Sequence, residues 1–307
     1  MSFKITPLKQ ITSIIERLSH TYPDRTLCTQ YAWWILQAVT DKKQAEILAQ
    51  SELILTDQQV ADLERWIVDS IDKHMPIAYL IGWVPFADLI INVKPPILIP
   101  RPETEEWVIN LINQYEPLKH ASLSILDLCS GTGCIALACA RAFSAAHVIG
   151  TDINEDAVLL ARENAQHNKL SNVTFVTGDL YGKLPHAAYD VIVSNPPYID
   201  PRAWHTLDAS VTTWEDRQAL IAADNGLAII KKIIAHAPYY VRLNATINAL
   251  QLPNLILEID ETQGELVAQE MKNASMVNIV VHKDLAGKDR VVSGRVMHVA
   301  AVAKNTS

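Results

Sequence analysis

The chain has 307 residues, 49% of them hydrophobic and 20% charged, with a formal net charge of −8. That length exceeds one average domain without reaching two, and 10 Gly and 15 Pro argue for a folded globular chain rather than a disordered or collagen-like one. No run of roughly 18 apolar residues offers a membrane span, and the acidic balance opposes broad attraction to duplex nucleic acid, where Lys and Arg must neutralise phosphates. Residues 1–9 lack an apolar core followed by a small-residue cleavage site, so a secretory signal is not expected. Glu16 and Asp24 make a transit peptide the weaker reading, so the expected location is cytoplasmic, with an organelle such as the mitochondrion left open. Cys28, Cys129, Cys134 and Cys139 form neither a CxxC pair nor a zinc-type spacing, and the histidines show no HExxH-type pairing. The cysteines read as buried reduced thiols, His236 as structural, and no metal is expected.

The first 75 residues read as a small helical bundle. Leu8, Ile11, Ile14, Ile15 and Leu18 recur at helical spacing, as do Tyr31, Trp34, Ile35, Ala38 and Val39, and then Val60, Leu63, Ile67 and Ile71. Asp57 is the expected N-cap of the last of these helices. Residues 76–102 are punctuated by Pro85, Pro95, Pro96, Pro100 and Pro102, with 89–91 and 97–99 as short strands, which suits a β-hairpin linker. Helical periodicity resumes over 103–115.

Beyond residue 120 strands and helices alternate. Strands are expected at 124–128, 147–151, 173–177, 189–194 and 254–259, and helices at 134–143, 155–168, 225–240 and 263–272. Two closing strands, 277–282 and 290–298, have no helix between them and should pair antiparallel. The pattern predicts an α/β fold, a parallel sheet covered by helices, over a third segment running from 103 to 307.

Three strand ends carry candidate ligand groups. Asp127-Leu128-Cys129-Ser130-Gly131-Thr132-Gly133 sits between a strand and a helix, where glycines let backbone approach a ligand and the helix start presents free N–H groups. The loop lacks the third glycine of a dinucleotide fingerprint, at Ala136, and the Asp127 carboxylate would repel a pyrophosphate. A ligand with cationic groups suits it better, and S-adenosyl-methionine carries a sulfonium and an ammonium. Asp152 ends the next strand, where a carboxylate can accept both hydrogen bonds of a ribose diol. Asp179 and Leu180, after the strand that follows, are placed to flank adenine.

The most informative stretch is Asn195-Pro196-Pro197-Tyr198, ending an apolar strand. The Asn195 side-chain oxygen and the Pro196 carbonyl offer two fixed acceptors for a planar –NH₂ group. Accepting both hydrogens orients the weakly nucleophilic nitrogen towards a methyl donor and favours the pyramidal form it needs for in-line attack. Tyr198 can wall the site and stack on a planar group. Asn195, Pro196 and Tyr198 are therefore the catalytic candidates, and Asn195 through Tyr198 the substrate contacts. Arg101, Glu103 and Glu105 either orient the substrate or pair at a helix start.

This set resembles the Class I (Rossmann-like) methyltransferases acting on planar amino groups. With Ile77-Ala78-Tyr79-Leu80-Ile81-Gly82, Pro100-Arg101-Pro102-Glu103-Thr104-Glu105 and Asp284-Leu285-Ala286-Gly287-Lys288-Asp289-Arg290, it is similar to the HemK family of glutamine-N(5) methyltransferases over residues 8–298. The resemblance implies a seven-stranded mixed sheet behind the helical bundle, which would recognise the substrate. It also implies methyl transfer from S-adenosyl-methionine, leaving S-adenosyl-homocysteine, to the glutamine of the Gly-Gly-Gln loop of a class I peptide chain release factor. Cofactor contacts carry over to Cys129, Ser130, Gly131, Thr132, Gly133, Asp152 and Leu180. Three departures stand out: Cys129 where the family often has Gly, Leu180 where it often has an aromatic, and Trp214-Glu215-Asp216 where Tyr-Glu-Pro is expected. The alternatives are a glutamine of a large-subunit ribosomal protein and, more remotely, the adenine amine of DNA. No membrane partner and no specific nucleic acid are expected.

Overall fold

The computed structural model describes residues 3–182, 184–186 and 189–297. The chain divides into two compact units, Met1–Trp83 with Asp208–Trp214, and Val84–Leu207 with Glu215–Ser307.

The first unit holds a two-stranded antiparallel pair, β1 (Phe3–Ile5) with β2 (Leu53–Leu55), and helices α1 (Pro7–Leu18), α2 (Arg25–Thr40), α3 (Gln44–Leu48), α4 (Asp57–Asp72) and α5 (Ile77–Ile81). On α1, Ile11, Ile14 and Leu18 fall on one face, and they close a core with Ile35, Leu36, Ile47, Ile67 and Ile77. The N-cap of α4 is Thr56, one residue before the expected Asp57. Its hydroxyl accepts from the Gln59 N–H at 3.2 Å and the Gln59 side chain accepts from the Thr56 N–H at 2.9 Å, a reciprocal pairing that Asp57 in the first turn cannot make. Residues 77–81, expected in the linker, instead form α5, whose Ile77, Leu80 and Ile81 pack on this core, so the helical unit extends to Trp83 rather than stopping at 75.

The second unit opens on a hairpin, β3 (Trp83–Phe86) with β4 (Leu89–Asn92), followed by α6 (Pro102–Gln114). The expected strand at 97–99 is absent: Pro95, Pro96 and Pro100 remove ladder donors, and Ile97 is apolar because it packs on Ala157 and Leu160. Then follow β5 (Ser124–Leu128), α7 (Cys134–Ala142), β6 (His147–Asp152), α8 (Glu155–His167), β7 (Val173–Thr177), β8 (Val191–Ser194), α9 (Ala209–Trp214, which belongs with the helical unit), α10 (Ala228–Tyr240), α11 (Ala245–Ala249), β9 (Leu255–Glu258), α12 (Gly264–Asn273), β10 (Val277–Lys283) and β11 (Asp289–Arg295). Tyr189 precedes β8 only as an isolated bridge to Val241. The helix expected from 225 starts at Ala228, since Asn225 and Gly226 both take left-handed φ (53° and 85°). The expected strand end at His298 lies outside the described residues, as does the rest of the chain to 307.

The sheet has seven strands in the order β10-β11-β9-β8-β5-β6-β7. β11 runs antiparallel to both neighbours, as the missing helix before it requires, and β9 through β7 are parallel. This mixed sheet is the expected Class I (Rossmann-like) core. The order reverses between β5 and β8, because the chain winds first to β6 and β7 on one side and then to β8 and β9 on the other. Ligands of such sheets bind at the carboxyl ends of the strands flanking that reversal. Both strands are buried on both faces, apart from Ser124 at the start of β5, so each reads as a largely apolar run, interrupted in β5 by Asp127 and closed in β8 by Ser194. No helix among the described residues is long and apolar enough to cross a membrane.

Candidate active site

The turn after β5 runs through left-handed φ at Cys129 (59°), Gly131 (52°) and Gly133 (83°), the last capping α7. A side chain at Gly133 would come within 2.8 Å of the Phe175 ring, so this glycine serves close packing rather than a ligand. Asp152 ends β6 and holds the turn: its carboxylate accepts from the Gly131 N–H at 2.8 Å and the Asn154 N–H at 2.9 Å. Burial pushes its pKa up while those hydrogen bonds oppose the shift. The fully buried Asn164 of α8 donates to the carbonyls of Thr132 and Asn92, tying the turn to the hairpin.

A cavity of about 480 Å³ opens beside this turn, reached by Cys129, Gly131, Asp152, Asp179, Leu180 and Asn195. Ile153, an apolar side chain 66% exposed, and Asn154 complete the wall next to Asp152. The volume suits a ligand of nucleoside size, with a carboxylate at one strand end and apolar Ile153 and Leu180 to cover a base. The residues present therefore fit S-adenosyl-methionine. Cys129 faces the cavity with its thiol pKa raised by burial, while Cys28, Cys134 and Cys139 are buried free thiols.

Of the expected contacts, Asp127, Ser130, Thr132, Gly133 and Glu103 do not line this cavity. Asp127 is wholly buried, and its carboxylate turns away from the cavity to accept the Ala136 N–H at 3.1 Å, so it anchors the first turn of α7. Glu103 lines a separate groove of about 640 Å³ with Trp107, His282 and Arg290, away from Asn195. Ser130 and Thr132 are nearly buried and line, with Arg101, Thr104 and Asn195, a hollow of about 30 Å³ behind the turn. Glu105 accepts from the Ala87 N–H at 2.6 Å and so fastens the hairpin turn.

Asn195 follows β8, whose Ser194 hydroxyl donates to the Leu128 carbonyl at 2.7 Å and fixes the strand against β5. Asn195 lines both the large cavity and a second small hollow shared with Arg101, Pro196 and Tyr198. Pro196 is buried, Pro197 reaches the large cavity, and Tyr198 packs partly buried on the core. The Tyr198 hydroxyl donates to Glu258 at 3.2 Å, so the ring is tethered rather than free to swing. The Tyr198 carbonyl accepts from Gln263 Nε2 at 2.9 Å, and a side chain at Gly226 would lie 1.9 Å from that carbonyl oxygen.

Glu258 was not singled out in the sequence. It ends β9, is 1% exposed, and accepts from Thr104 Oγ1 (2.7 Å), Trp107 Nε1 (2.7 Å) and Tyr198. Thr104 Oγ1 in turn accepts from Asn195 Nδ2 at 3.2 Å. The signal for Glu258 was a lone acid closing the apolar run Leu255-Ile256-Leu257. Arg101, expected either to orient the substrate or to pair at a helix start, forms an ion pair at 2.5 Å with Glu215, a residue of the segment that departs from the family pattern. No cluster of His, Cys, Asp and Glu suited to a metal occurs among the described residues.

Comparison with known proteins points one way. Residues 11–82 match the PrmC N-terminal domain family and residues 110–251 the methyltransferase small domain family. The release factor glutamine methyltransferase of Lactococcus lactis subsp. lactis (strain IL1403) is 37% identical over 250 residues, covering 79% of this chain and 87% of that one. The enzyme of the same name from Escherichia coli (strain K12) is 36% identical over 261 residues, covering 85% and 90%. Among solved structures, the hMettl16 catalytic domain in complex with MAT2A 3'UTR hairpin 6 superposes with a TM-score of 0.51 at 15% identity, over 82% of this chain and 87% of that one, a likeness in fold alone.

Proposed function

The chain belongs to the release factor glutamine methyltransferase family, and from that premise we propose that it methylates the side-chain amide nitrogen of the glutamine in the Gly-Gly-Gln loop of a class I peptide chain release factor. S-adenosyl-methionine, when bound, supplies a methyl activated by its sulfonium. The observation that carries the reading is Asn195, which stands at the carboxyl end of β8 and lines both the large cavity and the small hollow beside Arg101 and Tyr198.

The chain's own residues do four things in this reaction. Asp152, at the end of β6, offers its remaining lone pairs to a ribose diol, and Ile153 and Leu180 cover the base. The turn of Cys129 to Gly131 gives backbone room for the rest of the cofactor. The Asn195 side-chain oxygen and the Pro196 carbonyl accept the two hydrogens of the substrate amide, turning its nitrogen towards the cavity. Localising that lone pair in a site closed by Tyr198 and Pro197 lowers the barrier through positioning and electrostatics, and the proton that the methylated nitrogen sheds passes to water. In this reading the helical unit recognises the release factor, and a release-factor substrate supports a cytoplasmic location, with an organelle that translates its own proteins the alternative.

Incubation with labelled S-adenosyl-methionine and either a release factor, a ribosomal protein fraction or DNA tests the reading. Label in the release factor, lost in Asn195→Ala with cofactor affinity retained, is the expected result. Label in DNA alone, or in the ribosomal fraction alone, overturns the assigned substrate.

A further inference from the structure

Asn195 can serve as an acceptor only if its amide presents oxygen, not nitrogen, to the substrate. A carboxamide fits its pocket nearly as well in either orientation, since the two ends differ little in size and shape and differ in hydrogen bonding. The orientation must therefore be set by what the far end of the amide meets.

That end meets Thr104, in the first turn of α6. A hydroxyl has one proton, and the Thr104 proton is committed to Glu258 Oε2 at 2.7 Å. Towards Asn195 the hydroxyl is left with lone pairs only, so it accepts from Nδ2, at 3.2 Å, and repels Oδ1. Glu258 is held as an acceptor in turn: Trp107 Nε1 donates to the same carboxylate oxygen at 2.7 Å and Tyr198 to the other at 3.2 Å. Burial pushes the Glu258 pKa up, while these three donors and the charge of Arg290 oppose the shift. Trp107 lies one helical turn beyond Thr104, so α6 presents both donors to Glu258 on one face. The register adds to this, since Ser194 pairs with Leu257, one residue before Asn195 and Glu258 respectively on adjacent parallel strands.

We infer that Thr104, its proton held by Glu258, is the positioning residue that fixes the Asn195 amide with Nδ2 inward and Oδ1 towards the substrate. The inference rests on the reading of Asn195 as the acceptor of the substrate amide. With Thr104 unable to accept, the amide rotates between two orientations, and the reversed one sets –NH₂ against –NH₂.

Thr104→Val, nearly isosteric, and Thr104→Ser, which keeps the hydroxyl, test this in the full chain. Turnover of a release factor should fall roughly ten- to a hundredfold in Thr104→Val, in kcat rather than in cofactor affinity. Thr104→Ser should restore most of the loss, which a role confined to packing would not predict. The second readout needs no turnover. In protein with ¹⁵N-labelled asparagine, the Asn195 side-chain –NH₂ resonances, identified by their loss in Asn195→Asp, should be protected from hydrogen exchange in the parent and in Thr104→Ser, and exposed in Thr104→Val. Unaltered kcat in Thr104→Val, or an Asn195 –NH₂ whose exchange ignores Thr104, overturns the inference. If the parent methylates no glutamine, the functional reading falls by itself, and the exchange measurement still decides the orientation.

Discussion

Arg101 and Glu215 meet in an ion pair whose carboxylate side chain is 1% exposed and whose guanidinium is 33% exposed. The pair closes the loop bearing Leu98 and Arg101 over the hollow that Asn195 and Tyr198 share. A second tie, the Asp216 N–H to the Pro96 carbonyl at 2.7 Å, joins the same two segments. Desolvation raises the Glu215 pKa and Arg101 opposes it, so removing the guanidinium leaves a buried acid without its counter-charge. Arg101→Met should cost about 2–3 kcal/mol, seen as a lower unfolding midpoint in denaturant. Arg101→Met combined with Glu215→Leu should recover most of that stability, because the double variant removes both charges together. Equal losses in the single and double variants would mean that the pair contributes through packing alone.

Gly226 carries the second prediction. Its φ of 85° disfavours any side chain, and a Cβ there would stand 1.9 Å from the Tyr198 carbonyl oxygen. That contact cannot be relieved by turning a side chain, because the obstructing atom is backbone. Gly226→Ala should therefore push the segment from Asn195 to Tyr198 out of place and lose the Gln263 hydrogen bond to Tyr198. A displacement of about 1 Å at the reacting group costs on the order of a hundredfold in kcat, so steady-state kinetics at saturating cofactor provide the check.

These two sites show what the sequence could and could not convey. The sheet was legible because β5, β8 and β9 are compact, largely apolar buried runs, β6 and β7 are short β-branched segments, and alternation with helices dictates parallel pairing. Asn195 and Asp152 were legible because a polar residue closing a strand must face the carboxyl rim. Partners brought together only by folding were not. Glu258, Thr104 and Trp107 come from β9 and α6, about 150 residues apart, and Arg101 meets Glu215 across a comparable span. Asp127 misled for a different physical reason: its position at the start of a glycine-rich turn fits a ligand contact and a helix anchor equally well, and only its zero exposure separates the two. Thr56 took the α4 cap from Asp57 because a reciprocal pairing with Gln59 satisfies two backbone donors where Asp57 would satisfy one.

Asp127 yields a prediction with a definite sign. Burial holds its pKa well above the ordinary value of 3.8, and one carboxylate oxygen has no partner. The unfolded chain ionises near that ordinary value while the folded chain still holds the proton, so the folded state loses stability as pH rises from about 4 towards the raised pKa. Asp127→Asn does not titrate, keeps an acceptor for the Ala136 N–H, and removes the need to bury a charge. The stability of the variant relative to the parent should rise with pH across that window and level off above it, as read by denaturant unfolding at a series of pH values. Because Asp127 does not reach the cavity, affinity for S-adenosyl-homocysteine should stay within about twofold, a difference worth less than about 0.5 kcal/mol.

Asp152 should behave in the opposite way. Its carboxylate lies in the cavity wall and already accepts the Gly131 and Asn154 N–H groups, each from one oxygen, which fixes its plane and leaves a lone pair on each oxygen for a diol. Asp152→Ala removes both the diol acceptor and the restraint on Gly131, so cofactor affinity should fall at least tenfold, or about 1.4 kcal/mol. Asp152→Asn keeps the shape but turns one acceptor into a donor, and should fall between the parent and the alanine variant. Titration calorimetry with S-adenosyl-homocysteine measures both, free of any contribution from turnover. The unfolding midpoint should fall by a modest amount in the asparagine variant, since its –NH₂ meets one of the two backbone N–H donors that the carboxylate accepts, a loss partly offset because a neutral amide is easier to bury than a carboxylate. Unchanged affinity in Asp152→Ala would move the ribose away from the end of β6, and with it the direction from which the methyl approaches Asn195.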